Sequence, residues 1–532
     1  MANDKKSNKP LMISKREFLE AFAAIGGVSA VLSALDGWGM GIASAADTPP
    51  ELMGRAGGTN VLILGAGLSG MTAAYELTQR GYSCRILEAR PYAGGRCQTS
   101  RAGFQMTDDQ GETQTCDFDE GLHFNNGAWR LPSFHHSVFH YVRKFGVPME
   151  IMVQENDLGY LRFNDARGPL AGRRFRRREI KADMRGYTSE LLAKQVDQGA
   201  LDNELTNQDK DQLIDYLVRE GSLDARDLRY KGTVNRGYGV FEPMGARTAS
   251  EALAFKEILQ SGLGNTFQGV TQVARPHTMY QPVGGMDQIA QAFEREVGHM
   301  TTYNAEVQEL RQDDNGVRVP YRDTNTGEVQ IAEADYCITT IPLIILSRLP
   351  ADLPDRCKEA IAAPGITPVS KLALQMNRRF WEEDDDIYGG SSTLGIPGHT
   401  VIYPSYGYFG NKGLIQSMYA IGRPAEEKDG LSLGEQVGWA IEHSEKIHPG
   451  QFRRHYDDKA FSIAWHRTPY NKGGWTAWSS QDRQKYVSLL LEPQGRVYFS
   501  GDYVSGLTAW QAGAIESAWT QIEKLHARVM RA

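Results

Sequence analysis

The sequence predicts an α/β protein: a parallel-sheet domain joined to a second, mixed-sheet domain and a mostly helical insertion. Three observations lead there. A glycine-punctuated strand–helix–strand unit opens at Thr59, apolar residues then recur at helical spacing from His135 to about Gly264, and strand-like runs return in the second half. At 532 residues the chain is too long for one compact core, so two or three domains are expected.

The opening unit is the most informative stretch. Val61 to Leu64 are four consecutive apolar residues, the mark of a parallel strand buried on both faces. Gly65, Gly67 and Gly70 follow at G-x-G-x-x-G spacing, with Leu68 and Ser69 between them. The first glycine permits the tight turn, the second lets a pyrophosphate approach the backbone, and the third lets a helix pack on the strand. The spacing predicts that helix over Met71 to Gln79, with the phosphate at its positive N-terminus. Arg85 to Leu87 reads as the next strand, and Glu88 ends it 18 residues after Gly70, where a carboxylate accepts hydrogen bonds from ribose hydroxyls. Strand, glycines, helix, strand and acid in that order predict a Rossmann-like dinucleotide site rather than a chance glycine turn.

Further along, residues 47–57 read as a linker, and the segment His135 to about Gly264 as a mostly helical insertion. Asp287 is placed to cap a helix over Gln288 to Val297, and Thr302 to Leu310, Gly316 to Tyr321 and Tyr336 to Pro342 read as strands. Alternation over Val369 to Trp381 and Val401 to Tyr419 predicts a second sheet. A strand from Arg496 to Asp502 and a helix from Gly513 to Met530 close the chain. The resulting division is 1–46, a signal-like segment; 56–130, 280–345 and 485–532, a discontinuous dinucleotide domain; 131–279, the helical domain; and 346–484, the second-sheet domain.

Composition narrows the function. A net charge of −7 gives no support to a nucleic-acid partner, and the local basic cluster from Arg173 to Lys181 reads as a solvated face. Five cysteines without a C-x-x-C argue against a disulfide framework or a zinc site. No H-E-x-x-H motif is present, and no metal is expected. At the N-terminus, Lys5, Lys6, Lys9, Lys15 and Arg16 precede a 15-residue apolar run, Ala21 to Leu35, and then Ala43-Ser44-Ala45. That is the layout of a cleavable signal and too short for a comfortable membrane span. Ser14 to Leu19 resembles a twin-arginine export motif with lysine in the first arginine position, so a secreted or periplasmic protein is expected, without stable membrane insertion; an uncleaved amphipathic helix on the body of a cytoplasmic protein is the alternative.

Several islands resemble the flavin-containing amine oxidase family, and within it the L-amino-acid oxidase branch of venoms and bacteria. Glu88-Ala89-Arg90 followed by Gly94-Gly95-Arg96 is similar to the family's second signature, which continues the cradle of the FAD pyrophosphate. Gly127-Ala128-Trp129-Arg130-Leu131-Pro132 resembles the turn where backbone meets flavin and arginine pairs with the substrate carboxylate. Lys371, set between apolar residues, matches the lysine that holds a water against the flavin; a charge at a sheet edge is the alternative. The run Leu507 to Ser517 is similar to the segment beneath the flavin ring. There Ala509 and Trp510 would line the substrate's amino end, and Gln511, Ala512, Gly513 and Ala514 would contact the cofactor through backbone. By the same likeness Val307 would contact adenine, Asp502 the ribityl or pyrophosphate region, and Tyr403 the substrate carboxylate, unless Tyr403 is a packed strand tyrosine. Trp465, Trp475 and Trp478 would wall the pocket or serve as core.

The resemblance implies a Rossmann-like FAD-binding domain (GR2-type), a mixed-sheet substrate-binding domain, and FAD held non-covalently, since no cysteine follows Cys357. It implies an oxidase that converts L-amino acids, aromatic or large aliphatic, into 2-oxo acids, ammonia and hydrogen peroxide. The partners would be the amino acid, oxygen and further copies of the chain in a homodimer or higher homo-oligomer. A general flavin amine oxidase, an L-amino-acid 2-monooxygenase and a non-catalytic flavin-binding module are the competing readings.

Overall fold

In the strand Asn60–Leu64, every residue after the first is buried to 1% exposure or less, which is why its sequence shows no alternation. It lies at the centre of a five-stranded parallel sheet. On one side comes Ser83–Leu87 and then Thr301–Thr302; on the other, Tyr336–Thr339 and then Val497–Phe499. Segments from three widely separated parts of the chain therefore close one sheet. The protein is described by a computed structural model covering residues 47–163, 167–267 and 276–531. The signal-like segment 1–46 lies outside the described residues.

The helix after the central strand runs Leu68–Thr78, three residues earlier than the apolar spacing predicts. The glycine motif is thus partly inside its first turn. Gly70 fits there because a Cβ would stand 2.0 Å from the Gly65 carbonyl oxygen. The closing helix Gln511–Val529 packs against Leu68–Thr78, burying Ile515, Trp519 and Ile522.

The second sheet is antiparallel, in the order Ser391–Ser392, His399–Ile402, Gly413–Ile421, Val369–Met376, Tyr456–Ala464. The alternation is real but shorter than expected. The long run stops at Met376, a helical turn Phe380–Glu383 follows, and Val401 to Tyr419 divides into two strands. All eight residues of Val369–Met376 are buried, because both faces are covered. Leu372, Leu374 and Met376 join a core with Val437 and Ala440 of the helix Leu433–Ser444. Ala373, on the opposite face, packs with Phe118 and Phe124. Lys371 shares that second face by the period of two, which turns it towards the parallel-sheet body.

The segment between the two sheets is less helical than its periodicity suggests. The helices Arg177–Asp197 and Asn207–Gly221 pack on each other. Beside them run short hairpins, and Met149–Val153 pairs with Thr278–Pro282. The basic cluster is not simply a solvated face. Arg174 Nη1 donates to Ile447 O (2.5 Å), Arg176 Nη2 meets Asp385 (3.2 Å), and buried Arg177 pairs with Glu155 (3.4 Å). Arg174 thus docks the helical segment onto a carbonyl beyond the C-terminus of helix Leu433–Ser444, while Arg176 and Arg177 are held by carboxylates.

Candidate active site

A cavity of about 520 Å³ opens at the carboxyl ends of the parallel strands and runs across to the antiparallel sheet. Gly65, Gly67, Leu68 and Ser69 form its floor at one end. Nothing lies within 4 Å of where a Cβ on Gly67 would stand, so a side chain there would project into the space. Gly95, from the second signature, faces it with only the Gly67 Cα near its own missing Cβ, at 3.6 Å. The first turn of helix Leu68–Thr78 has no acidic residue and no capping side chain, which leaves its N–H groups available to an anion.

Glu88 closes this end. Its two carboxylate oxygens accept from the backbone N–H groups of Ala66 (2.8 Å) and Arg90 (2.9 Å), which fixes the plane of the carboxylate toward the cavity. Ala89, Arg90 and Val307 line the same end, and Arg90 Nη2 donates to Pro469 O (2.6 Å). Further along, Arg96 pairs with Asp502, whose Oδ2 also accepts from Ala509 N (2.9 Å). Ala509 takes a left-handed φ of 71°, an uncommon conformation for a residue with a Cβ. It presents its backbone to the cavity beside Trp510.

At the far end Gly127, Ala128, Trp129 and Arg130 form one wall, with Lys371, Tyr419 and Trp465 opposite. The Arg130 guanidinium stands 4.7 Å from the Trp129 ring and 6.0 Å from that of Trp510, and its Nη1 donates to Gln154 Oε1 (2.7 Å). Lys371 is 2% exposed, and its Nζ donates to Asn125 O (3.2 Å) and to Gly127 O. Burial, and secondarily the positive charge of Arg130, push its ammonium down to about 7.

Comparison with known proteins gives the family. A family profile described as flavin containing amine oxidoreductase matches residues 68–521. The chain belongs to that family. It is 26% identical over 480 residues to an L-amino-acid oxidase of Echis ocellatus, covering 87% of this chain and 88% of that one. Over 471 residues it is 26% identical to the putative L-amino-acid oxidase YobN of Bacillus subtilis, with 86% and 92% covered. Among solved structures, putrescine oxidase (TM-score 0.57) and the cyclohexylamine oxidase of Brevibacterium oxydans (0.56) share the fold at 16% identity, each covering 89% of this chain.

The cofactor of this flavin amine oxidoreductase is FAD, and the cavity fits it: open space over Gly67, free helix N–H groups, and a fixed carboxylate at Glu88. Four residues expected at the site do not line the cavity. Gly70 is at the helix–strand contact. Ala512 is fully buried in the core, and a Cβ on Gly513 would meet Leu507 O at 2.3 Å. Helical geometry explains the side-chain positions of the last two, since Gln511 and Ala514 share a face that Ala512 and Gly513 do not; the contact expected of them is through backbone, and their N–H groups stand in the first turn of Gln511–Val529, which no side chain caps.

The fourth is Tyr403. Its hydroxyl bonds Ser392 Oγ and His448 Nε2, both at 2.6 Å, inside the core of the antiparallel sheet, so it is a packed tyrosine. Tyr419, Tyr470 and Tyr503 line the cavity, and Tyr419 is the one directly across the strand pair from Lys371. Sequence reading misses it because Tyr419 becomes a neighbour of Lys371 only through strand register. Of the three tryptophans, Trp465 and Trp475 line the cavity, while Trp478 does not and donates to the carbonyl of the lining residue Tyr503 (2.8 Å).

Proposed function

We propose that this flavin amine oxidoreductase oxidises L-amino acids to 2-oxo acids, with release of ammonium and hydrogen peroxide. What supports the reading is Arg130. A planar guanidinium set beside two indole rings on a cavity wall suits a carboxylate, which it can grip through two parallel hydrogen bonds. An amine without a carboxylate has no use for it. The 26% identity to L-amino-acid oxidases over most of the chain points the same way.

In this reading Arg130 and Tyr419 bind the carboxylate. Trp129, Trp465 and Trp510 exclude water from the α-carbon. Lys371 holds a water beside the reacting edge, and its lowered affinity for a proton lets Nζ exchange one near neutral pH. FAD, when bound, supplies the hydride acceptor and passes electrons to oxygen. The imino acid left behind is hydrolysed by water. Segments 56–130, 280–345 and 485–532 would serve the cofactor and 346–484 the substrate. The basic-then-apolar N-terminus supports export of the folded protein.

The test is an assay of the purified enzyme against all L-amino acids for peroxide and 2-oxo acid. Equimolar appearance of both is expected. Amides in place of 2-oxo acids would replace the reading with a 2-monooxygenase, and turnover of plain amines alone would replace it with a general amine oxidase. Acid precipitation should release yellow flavin into the supernatant, as non-covalent FAD requires.

A further inference from the structure

The turn that carries Arg130 belongs to the parallel-sheet body, yet its backbone is gripped from the antiparallel sheet. Three successive carbonyls are taken in this way. Lys371 Nζ donates to Asn125 O and Gly127 O, and the indole Nε1 of Trp465 donates to Asn126 O between them (2.8 Å). Both donors come from one corner of that sheet. Lys371 stands near the start of Val369–Met376, and Trp465 directly follows Tyr456–Ala464, its own N–H donating to Val369 O (2.8 Å).

Nothing on the other side of the turn gives way. Gly127 N and Ala128 N donate to Gln98 O and Arg96 O, both at 3.2 Å, and a Cβ on Gly127 would stand 2.0 Å from Arg96 O. Asn126 Nδ2 donates to Gln98 Oε1 (3.1 Å) and Ser100 Oγ (2.9 Å). An indole has one donor and no acceptor, so the nitrogen of a 3%-exposed Trp465 serves this carbonyl alone. Asn126, the middle residue, is fully buried, so no water replaces that donor if it is lost.

We propose that Trp465 is a positioning residue for substrate recognition: its indole N–H fixes the Asn125–Gly127 backbone and thereby sets where Arg130 presents its guanidinium. The proposal rests on the reading that Arg130 binds the substrate carboxylate. Lys371 shares the task, which gives it a part in substrate binding besides its part in the reaction.

The test is Trp465→Phe, which keeps an aromatic wall and removes the N–H. The flavin spectrum and FAD content should stay as in the wild type. KM for the best L-amino acid should rise about tenfold with kcat within about threefold, the size expected when one buried hydrogen bond to a positioning element is lost. The Kd for 3-phenylpropionate, a carboxylate without an amine to oxidise, read from the flavin absorbance, should rise in parallel. Trp465→His, which keeps a ring N–H, should fall between. Unchanged KM and Kd in Trp465→Phe, or a fall in kcat alone, would overturn the proposal. Loss of FAD from both variants would assign Trp465 to cofactor retention and overturn it as well. If the wild type oxidises no L-amino acid, the activity reading fails by itself, and the 3-phenylpropionate titration still decides the role of Trp465.

Discussion

The two ends of the cavity are built differently. The cofactor end comes largely from one continuous stretch, Gly65 to Arg96, and works mostly through backbone: missing side chains at Gly67 and Gly95, free N–H groups of a helix start, and a glutamate clamped by two amides. The far end, which the proposed function gives to the substrate, collects Arg130, Lys371, Tyr419, Trp465 and Trp510 from five separate segments and works through side chains. A backbone site depends on local geometry and changes little with its surroundings. A side-chain site depends on register and on how two sheets meet.

That difference predicts where single substitutions cut deepest. Arg130→Ala should cost most, because a substrate carboxylate would then sit unpaired in a largely dry pocket. The expected loss is about 2–5 kcal/mol, roughly 30- to several-thousand-fold in kcat/KM. Arg130→Lys should recover only part, since an ammonium lacks the planar fork. Steady-state kinetics on amino acids and on a neutral amine give the check: equal losses on both would mean that Arg130 shapes the flavin site instead of reading the carboxylate.

Lys371→Met comes next, with roughly 10- to 10³-fold lost in kcat, the scale of removing one positioned electrostatic group, and with FAD retained. KM should rise too, as the turn loses two of its three cross-sheet donors. Loss of FAD or of folding would make the lysine purely structural.

The tyrosines sharpen the comparison within one sheet. Tyr419→Phe should raise KM by about tenfold, through a lost hydrogen bond to a charged group. Tyr403→Phe should leave KM alone and lower stability by about 1–3 kcal/mol, because Ser392 and His448 lose a buried partner. Kinetics and thermal melts on the pair would reverse the assignment if the effects were exchanged.

A separate effect, on stability and not on turnover, follows pH. Folded Lys371 releases its proton near 7, against 10.5 in the unfolded chain. Between those values the unfolded state binds the extra proton, so stability from this residue increases as pH rises through that window. Below 7 the cost of burying the charge is fully present. Melting curves of the wild type from pH 7 to 10.5 should show this rise, and Lys371→Met should flatten it.

The sequence alone determined the central strand, the glycine turn, the helix behind it and the acid at Glu88, because each rests on a property of residues close in the chain: a continuous apolar run, absent Cβ atoms, a fixed separation. It also marked Arg130 and Lys371, which carry charge where their neighbours are apolar or glycine-rich. Only the tertiary structure decided which of Tyr403 and Tyr419 faces the cavity. Tyr403 and Tyr419 are equally plausible as strand residues, and pairing register sent one into the core and set the other opposite Lys371. It likewise decided that Trp465 grips the turn bearing Arg130. These outcomes depend on strand register and on a contact between residues 339 positions apart, which no local pattern encodes.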